Sequence, residues 1–217
     1  MLFRSVRRAL PAAAIVGAAL VTATDTLMAQ AWVYPAFQPP TIVSREYQGI
    51  IADGDWGGTS LVFQWKEGLG PRSQFSLDAG IADPDFGDAR FLIGGGYGYQ
   101  LNRASQNADL PLDMMFTAGA YGSFGDGLTI IRVPVGVSIG HRFPLEGNMA
   151  ITPYVHPRAA LFFCSDCADE TDMRINFDLG VDFELTQTLS LRGSIMFGGD
   201  DEEAFGLGFA WRPRGLR

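Results

Sequence analysis

The 217-residue sequence predicts an all-β fold: a closed antiparallel up-and-down transmembrane β-barrel of ten strands, with eight as the alternative. Three observations predict it. Apolar residues alternate with polar or small ones over most of the chain, the period-two signature of a strand with one buried face. Clusters of Gly, Asp, Asn and Pro break that alternation at roughly regular spacing, as turns between strands do. The polar face is glycine, serine and isolated charges, and the sequence has a single lysine, Lys66.

The segment from Met1 to Ala31 reads as a secretory signal. Arg4, Arg7 and Arg8 precede an apolar run from Ala9 to Ala23, and Ala29-Gln30-Ala31 supplies a small-x-small cleavage pattern. Pro11 and Gly17 interrupt the run, which is short for a spanning helix. Its removal takes the formal charge from −8 to −10, and so acidic a chain is unsuited to nucleic acid. After it no apolar stretch is long enough for a transmembrane helix, so a membrane location requires a closed sheet. Residues 32–43, rich in Pro and aromatics (Trp32, Tyr34, Pro35, Phe37, Pro39, Pro40), read as a periplasmic lead-in. The barrel is expected over 44–212 and a tail over 213–217.

The alternation is strictest in three segments. From Arg174 to Glu184, Ile175, Phe177, Leu179, Val181 and Phe183 oppose polar or small neighbours. From Ile130 to Phe143 the sequence Ile131, Val133, Val135, Val137 and Ile139 does the same. Near the end Phe205, Leu207, Phe209 and Trp211 oppose Gly206, Gly208 and Ala210. A helix would scatter these residues round its surface. Six further segments, near 58–66, 73–82, 89–101, 111–122, 149–163 and 188–198, bring the count to nine. A weaker one at Arg45–Ala52, joined through Asp53-Gly54-Asp55, makes the even number that bacterial barrels prefer.

The polar face decides between a membrane barrel and a soluble one, because a face meeting water would carry many Lys and Glu. Here Arg90, Arg132, Arg158, Arg174 and Arg192 stand among glycines, with Asp78, Asp113, Asp178, Asp182 and Glu184 as their counterparts. Buried charges persist when paired, so the expectation is an interstrand ion-pair network filling the lumen. The functional alternative is a charged constriction in a narrow pore. Trp65, Tyr97, Tyr99, Phe143, Phe183 and Trp211 fall at strand ends on one side, where an interfacial aromatic girdle belongs.

The connections form two sets. One is acidic throughout: Asp53 and Asp55; Asp83, Asp85 and Asp88; Asp126; Asp166 to Asp172; and Asp200 to Glu203. The other is neutral to basic and ends in Arg212–Arg217. With the amino terminus periplasmic, the acidic set faces outside, as solvated tips or as loop sites for Ca²⁺ or Mg²⁺ bridging lipopolysaccharide phosphates. No other cofactor is expected. Cys164 and Cys167, the two cysteines present, read in an exported chain as a local disulfide, since a zinc site would need two further ligands.

This pattern resembles the small outer-membrane β-barrel proteins of Gram-negative bacteria, of OmpA/OmpX-like architecture. The likeness spans roughly residues 44–212. Phe205, Leu207, Phe209 and Trp211 are similar to the family's C-terminal assembly signal, except that Arg212-Pro213-Arg214-Gly215-Leu216-Arg217 follows where such a signal normally ends the chain. The resemblance implies a monomer in the outer membrane, in contact with lipid and lipopolysaccharide and inserted by the barrel assembly machinery.

Some small barrels are proteases or lipid A deacylases, which need a His beside an acid or an activated Ser. His141 borders Arg142 at a strand end, and His156 alternates inward between Pro153 and Pro157. Neither has a nucleophile or orienting acid at recognisable spacing, and Asp83-Pro84-Asp85 has the composition of a turn. The reading is therefore non-enzymatic: a filled, salt-bridged barrel acting in envelope structure or surface contact. A narrow solute pore and a lipid-modifying enzyme are the alternatives.

Overall fold

A computed structural model of the chain describes residues 37–54, 58–84, 87–107, 109–125, 127–165, 171–198 and 203–213. Among these lie β1 (Arg45–Gly54), β2 (Gly58–Gly68), β3 (Ser73–Asp83), β4 (Arg90–Asn102), β5 (Asp113–Gly125), β6 (Leu128–Gly140), the two-residue β7 (Phe143–Pro144), β8 (Ala150–Cys164), β9 (Thr171–Thr186), β10 (Leu189–Gly198) and β11 (Glu203–Trp211). β7 is a local pairing beside β8. The other ten form the wall, each antiparallel to its neighbour in sequence, with β6 meeting β8 and β1 meeting β11 to close the ring. The eight-strand alternative is thereby excluded. The signal segment, Cys167 with its expected disulfide, residues 214–217 and much of the acidic connections lie outside the described residues.

The weak segment at Arg45–Ala52 is a full wall strand, pairing with β2 through ten residues and with β11 through eight. Following paired residues once round the ring from Arg90 returns to β4 near Asn102, a stagger of about 12 residues that tilts the strands by roughly 40°. The strand expected over 130–143 ends at Gly140. Beyond it the chain passes through His141 and Arg142 into a connection with a short 3₁₀ turn at Glu146–Asn148.

Three prolines locate the weakest pairing. The β5–β6 ladder skips the position opposite Pro134, and the β6–β8 ladder skips the one opposite Pro157. Proline lacks the N–H that each of these hydrogen-bonded positions needs. Pro153, at the foot of β8, accepts from His141 N at 3.4 Å and has no N–H to return. β6 is therefore the least completely paired strand of the wall.

The two faces separate as the alternation predicts. Ile175 and Phe91 are about two-thirds exposed to the outside, while Ile50, Leu92 and Met115 are fully enclosed. A barrel whose exposed face is Leu, Ile, Val and Phe on every strand is built to stand in lipid, and its closed ladder leaves no edge for lipid to strand. At the end carrying β1's start and β11's finish, Tyr47 stacks on Trp211 at 5.7 Å and Trp65 meets Phe75 edge-on at 5.4 Å. Tyr97, Tyr99, Phe143 and Trp211 are exposed there, with Trp65 and Phe183 half-buried beside them.

One feature was not legible in the sequence. The described part of the lead-in, residues 37–43, enters the lumen: Phe37 is 1% exposed, and Pro39 and Pro40 are also buried. Phe37 lies on the bare glycines of β11. A Cβ at Gly206 would come within 2.8 Å of its ring, so the small residues of that strand are the floor of its seat.

Candidate functional site

The inward charges collect in three tiers along the barrel axis. At the end where β1 starts and β11 finishes, the Arg192 guanidinium donates to both oxygens of Glu46, at 2.6 and 2.7 Å, to Asp182 at 2.9 Å and to Gln48 at 2.6 Å. Two-pronged donation of this kind is the strong form of the arginine–carboxylate contact. Arg212, just past β11, donates to Glu46 at 2.8 Å and to Asp182 at 3.2 Å. Lys66 Nζ stands 3.7 Å from Glu46. Glu184 accepts from Arg142 at 2.7 Å, and this hydrogen bond holds the Arg142 guanidinium still further above its ordinary range. Four cations and three carboxylates from both ends of the chain thus form one cluster.

The middle tier is smaller. Asp178 accepts from Arg158 Nη2 at 3.2 Å and from His156 Nδ1 at 3.2 Å, while His156 Nε2 lies 2.7 Å from Thr117 Oγ1. Gln64 donates to Asp78 at 3.1 Å. Thr117, His156 and Asp178 have the order hydroxyl, imidazole, carboxylate that an acyl-transfer site would use. The space beside them, bounded by Phe37, Gln38 and Tyr121, is a cavity of about 30 Å³, room for about two waters and not for an acyl chain.

The third tier lies towards the acidic end. Arg90 donates to Ser123 at 2.9 Å and to Leu128 O at 3.2 Å. Arg174 donates to Asp172 at 3.2 Å and lies 4.3 Å over the Phe162 ring, which Arg132 approaches to 5.8 Å. An aromatic face attracts a guanidinium where water is excluded.

Of the ten network residues expected from sequence, Arg192 and Asp182 share one tier with Glu184, and Arg158 and Asp178 share another with Asp78. Arg90, Arg132 and Arg174 stand apart in the third. Asp113 stands at the mouth, accepting from Ala104 N at 3.1 Å. Glu46, Lys66, Gln48, Arg142 and Arg212 were not anticipated. For Glu46 the signal is faint, because its inward neighbours Ile50 and Ala52 are apolar and its strand carries hydrophobic residues on both faces. Arg212 was visible only as the odd continuation after Trp211. Among the described residues no group of three or more His, Cys, Asp or Glu gathers as a metal site would require.

The lead-in completes the filling. Phe37 O accepts from Lys66 at 2.8 Å, Gln38 O accepts from Ser138, Pro40 O accepts from Gln100 at 3.0 Å, and Val43 N donates to Gln74 at 2.9 Å. Below it a vestibule of about 540 Å³ opens at the terminal end, lined by Thr41, Ile42, Arg103, Asp113 and His141.

No family model and no curated protein matches the chain. Among solved structures it is similar to the β-domain of the Bordetella autotransporter BrkA, at 14% identity and a TM-score of 0.48, covering 77% of this chain and 99% of that one. It is also similar to the outer membrane protein Omp33 of Acinetobacter baumannii, at 10% identity and 0.38 over 79% and 98%. A third likeness is the KdgM porin in complex with disordered oligogalacturonate, at 8% identity and 0.40 over 78% and 98%.

Proposed function

We propose that this chain is a monomeric, non-enzymatic protein of the bacterial outer membrane whose closed lumen stiffens it for a role in envelope structure and contact with lipid and lipopolysaccharide. One observation carries the reading: the Arg192–Glu46–Asp182–Arg212 cluster narrows the lumen, and Phe37, buried among the inward side chains, takes up space that a solute would need. Buried, fully paired charges hold side chains in one arrangement, and a fixed arrangement suits a girder better than a channel. The apolar exterior and aromatic end favour lipid as the principal partner, with insertion by the barrel assembly machinery. No resident cofactor enters this reading.

Planar-bilayer recordings test it. The wild-type protein is expected to leave the bilayer silent under conditions where a general porin shows steady steps. Steady, voltage-independent conductance would replace this reading with that of a narrow pore.

The Thr117–His156–Asp178 geometry favours a second reading, a lipid-modifying barrel. Release of fatty acid from lipid A by the purified protein, abolished in His156→Ala and in Thr117→Val, would establish it. The cavity of about 30 Å³ leads us to expect no release from any of the three proteins.

A further inference from the structure

We propose that the lumen is a binding site for a short polypeptide segment, occupied in cis by residues 37–43, so that the barrel is a conduit closed by its own tethered ligand. The proposal rests on the closed-barrel reading and adds what closes it and how it opens.

Four side chains from four different strands address this segment, and all four bind its main chain. Lys66 of β2, Gln100 of β4 and Ser138 of β6 donate to the carbonyls of Phe37, Pro40 and Gln38, and Gln74 of β3 accepts from Val43 N. Contacts to main-chain carbonyls and N–H groups recognise the course of a backbone rather than a particular sequence, as in other peptide-binding grooves. Pro39 and Pro40 suit such a ligand. They lack N–H groups that would need buried acceptors, and Pro39 O closes a tight turn by accepting from Thr41 N at 2.7 Å.

The largest side chain the site encloses is the Phe37 ring, 1% exposed and lying against Gly206 and Gly208 of β11; Pro39 and Pro40 are also buried. The wall does not depend on it. Every long strand is paired on both sides, and the ion pairs bracing the ring run between wall strands and Arg212. Withdrawal of the segment would uncover the glycine floor, the apolar seat that Ile50, Ala52, Val62, Ala82 and Leu92 form around Phe37, and the polar side chains that hold its main chain, continuous with the vestibule at its foot. Water would enter along those polar side chains.

The test uses the full chain in planar bilayers, with gel mobility confirming that each variant is folded. In a Cys164→Ser/Cys167→Ser background, Phe37→Ala is combined with the pair Gln38→Cys/Ser138→Cys, which replaces the Gln38–Ser138 hydrogen bond by a tether. Phe37→Ala alone is expected to raise open probability at least about tenfold over the parent. With the tether oxidised the same protein should be silent, and reduction should restore the openings. A synthetic peptide of residues 37–43, added from the side where β1 starts, should close the Phe37→Ala protein, whereas its Phe→Ala version should not.

A folded Phe37→Ala barrel that stays silent overturns the proposal while leaving the closed-barrel reading intact. Conductance that persists with the tether oxidised also overturns it, because the current would then pass a static hole. Failure of the peptide to close an otherwise tether-sensitive barrel refutes the binding site. Steady conductance of the tethered parent, with Phe37 in place, would instead refute the closed-barrel reading itself.

Discussion

The barrel wall has two seams of opposite construction. Where β1 meets β11 there is no covalent connection, yet eight consecutive residue pairs run without a break. Tyr47 and Trp211 stack across the outside, and inside, Arg192 and Arg212 both grip Glu46. Where β6 meets β8 the strands are joined by the nine-residue connection 141–149, and Pro157 interrupts the ladder. Chain continuity holds the second seam in register at little entropic cost. The first has to be held by side chains. Bracing is concentrated where the polypeptide supplies none of its own, and Arg212, just past β11, adds to it by reaching Glu46 on β1.

This contrast can be broken from the terminal seam downwards. Arg192→Ala is expected to have the largest effect, about 3–5 kcal/mol, because it leaves Glu46 and Asp182 buried without their main partner. Urea unfolding in lipid vesicles would measure it, and loss of folded yield would be its extreme form. Arg212→Ala removes a partner that is 20% exposed, and about 1–2 kcal/mol is expected. Trp211→Ala, on the outside, should cost about 1–3 kcal/mol through lost lipid and Tyr47 contact.

At the continuous seam, Thr117→Val should cost no more than about 1 kcal/mol, since His156 keeps its bond to Asp178 and loses one neutral hydrogen bond. Pro157→Val restores an N–H to the interrupted ladder and should raise stability by up to about 1 kcal/mol. If that last change destabilised the protein as much as Arg212→Ala does, the two seams would not differ in the way described.

The same contrast explains what the sequence made legible. Strand identity is local, and β9, β6 and β11 announced themselves through residues two apart, from Ile175 to Phe183 or Phe205 to Trp211. The inward arginines followed from the same alternation. The partners of Arg192 did not, because Glu46 is 146 residues away in sequence and becomes its neighbour only when the ring closes. Arg212 and Glu46 are separated by 166. Phe37 was illegible for another reason: residues 37–43 have no period, and their place is set by the glycine floor of β11, a shape with no side chain of its own.

The barrel is a closed wall with lipid outside and charges within. The most direct test of that arrangement is the native protein's cell fraction combined with its gel mobility before and after boiling. Recovery in the outer-membrane fraction, with a compact unheated form that shifts on boiling, is the predicted result. A soluble periplasmic protein whose mobility does not depend on heat would contradict it.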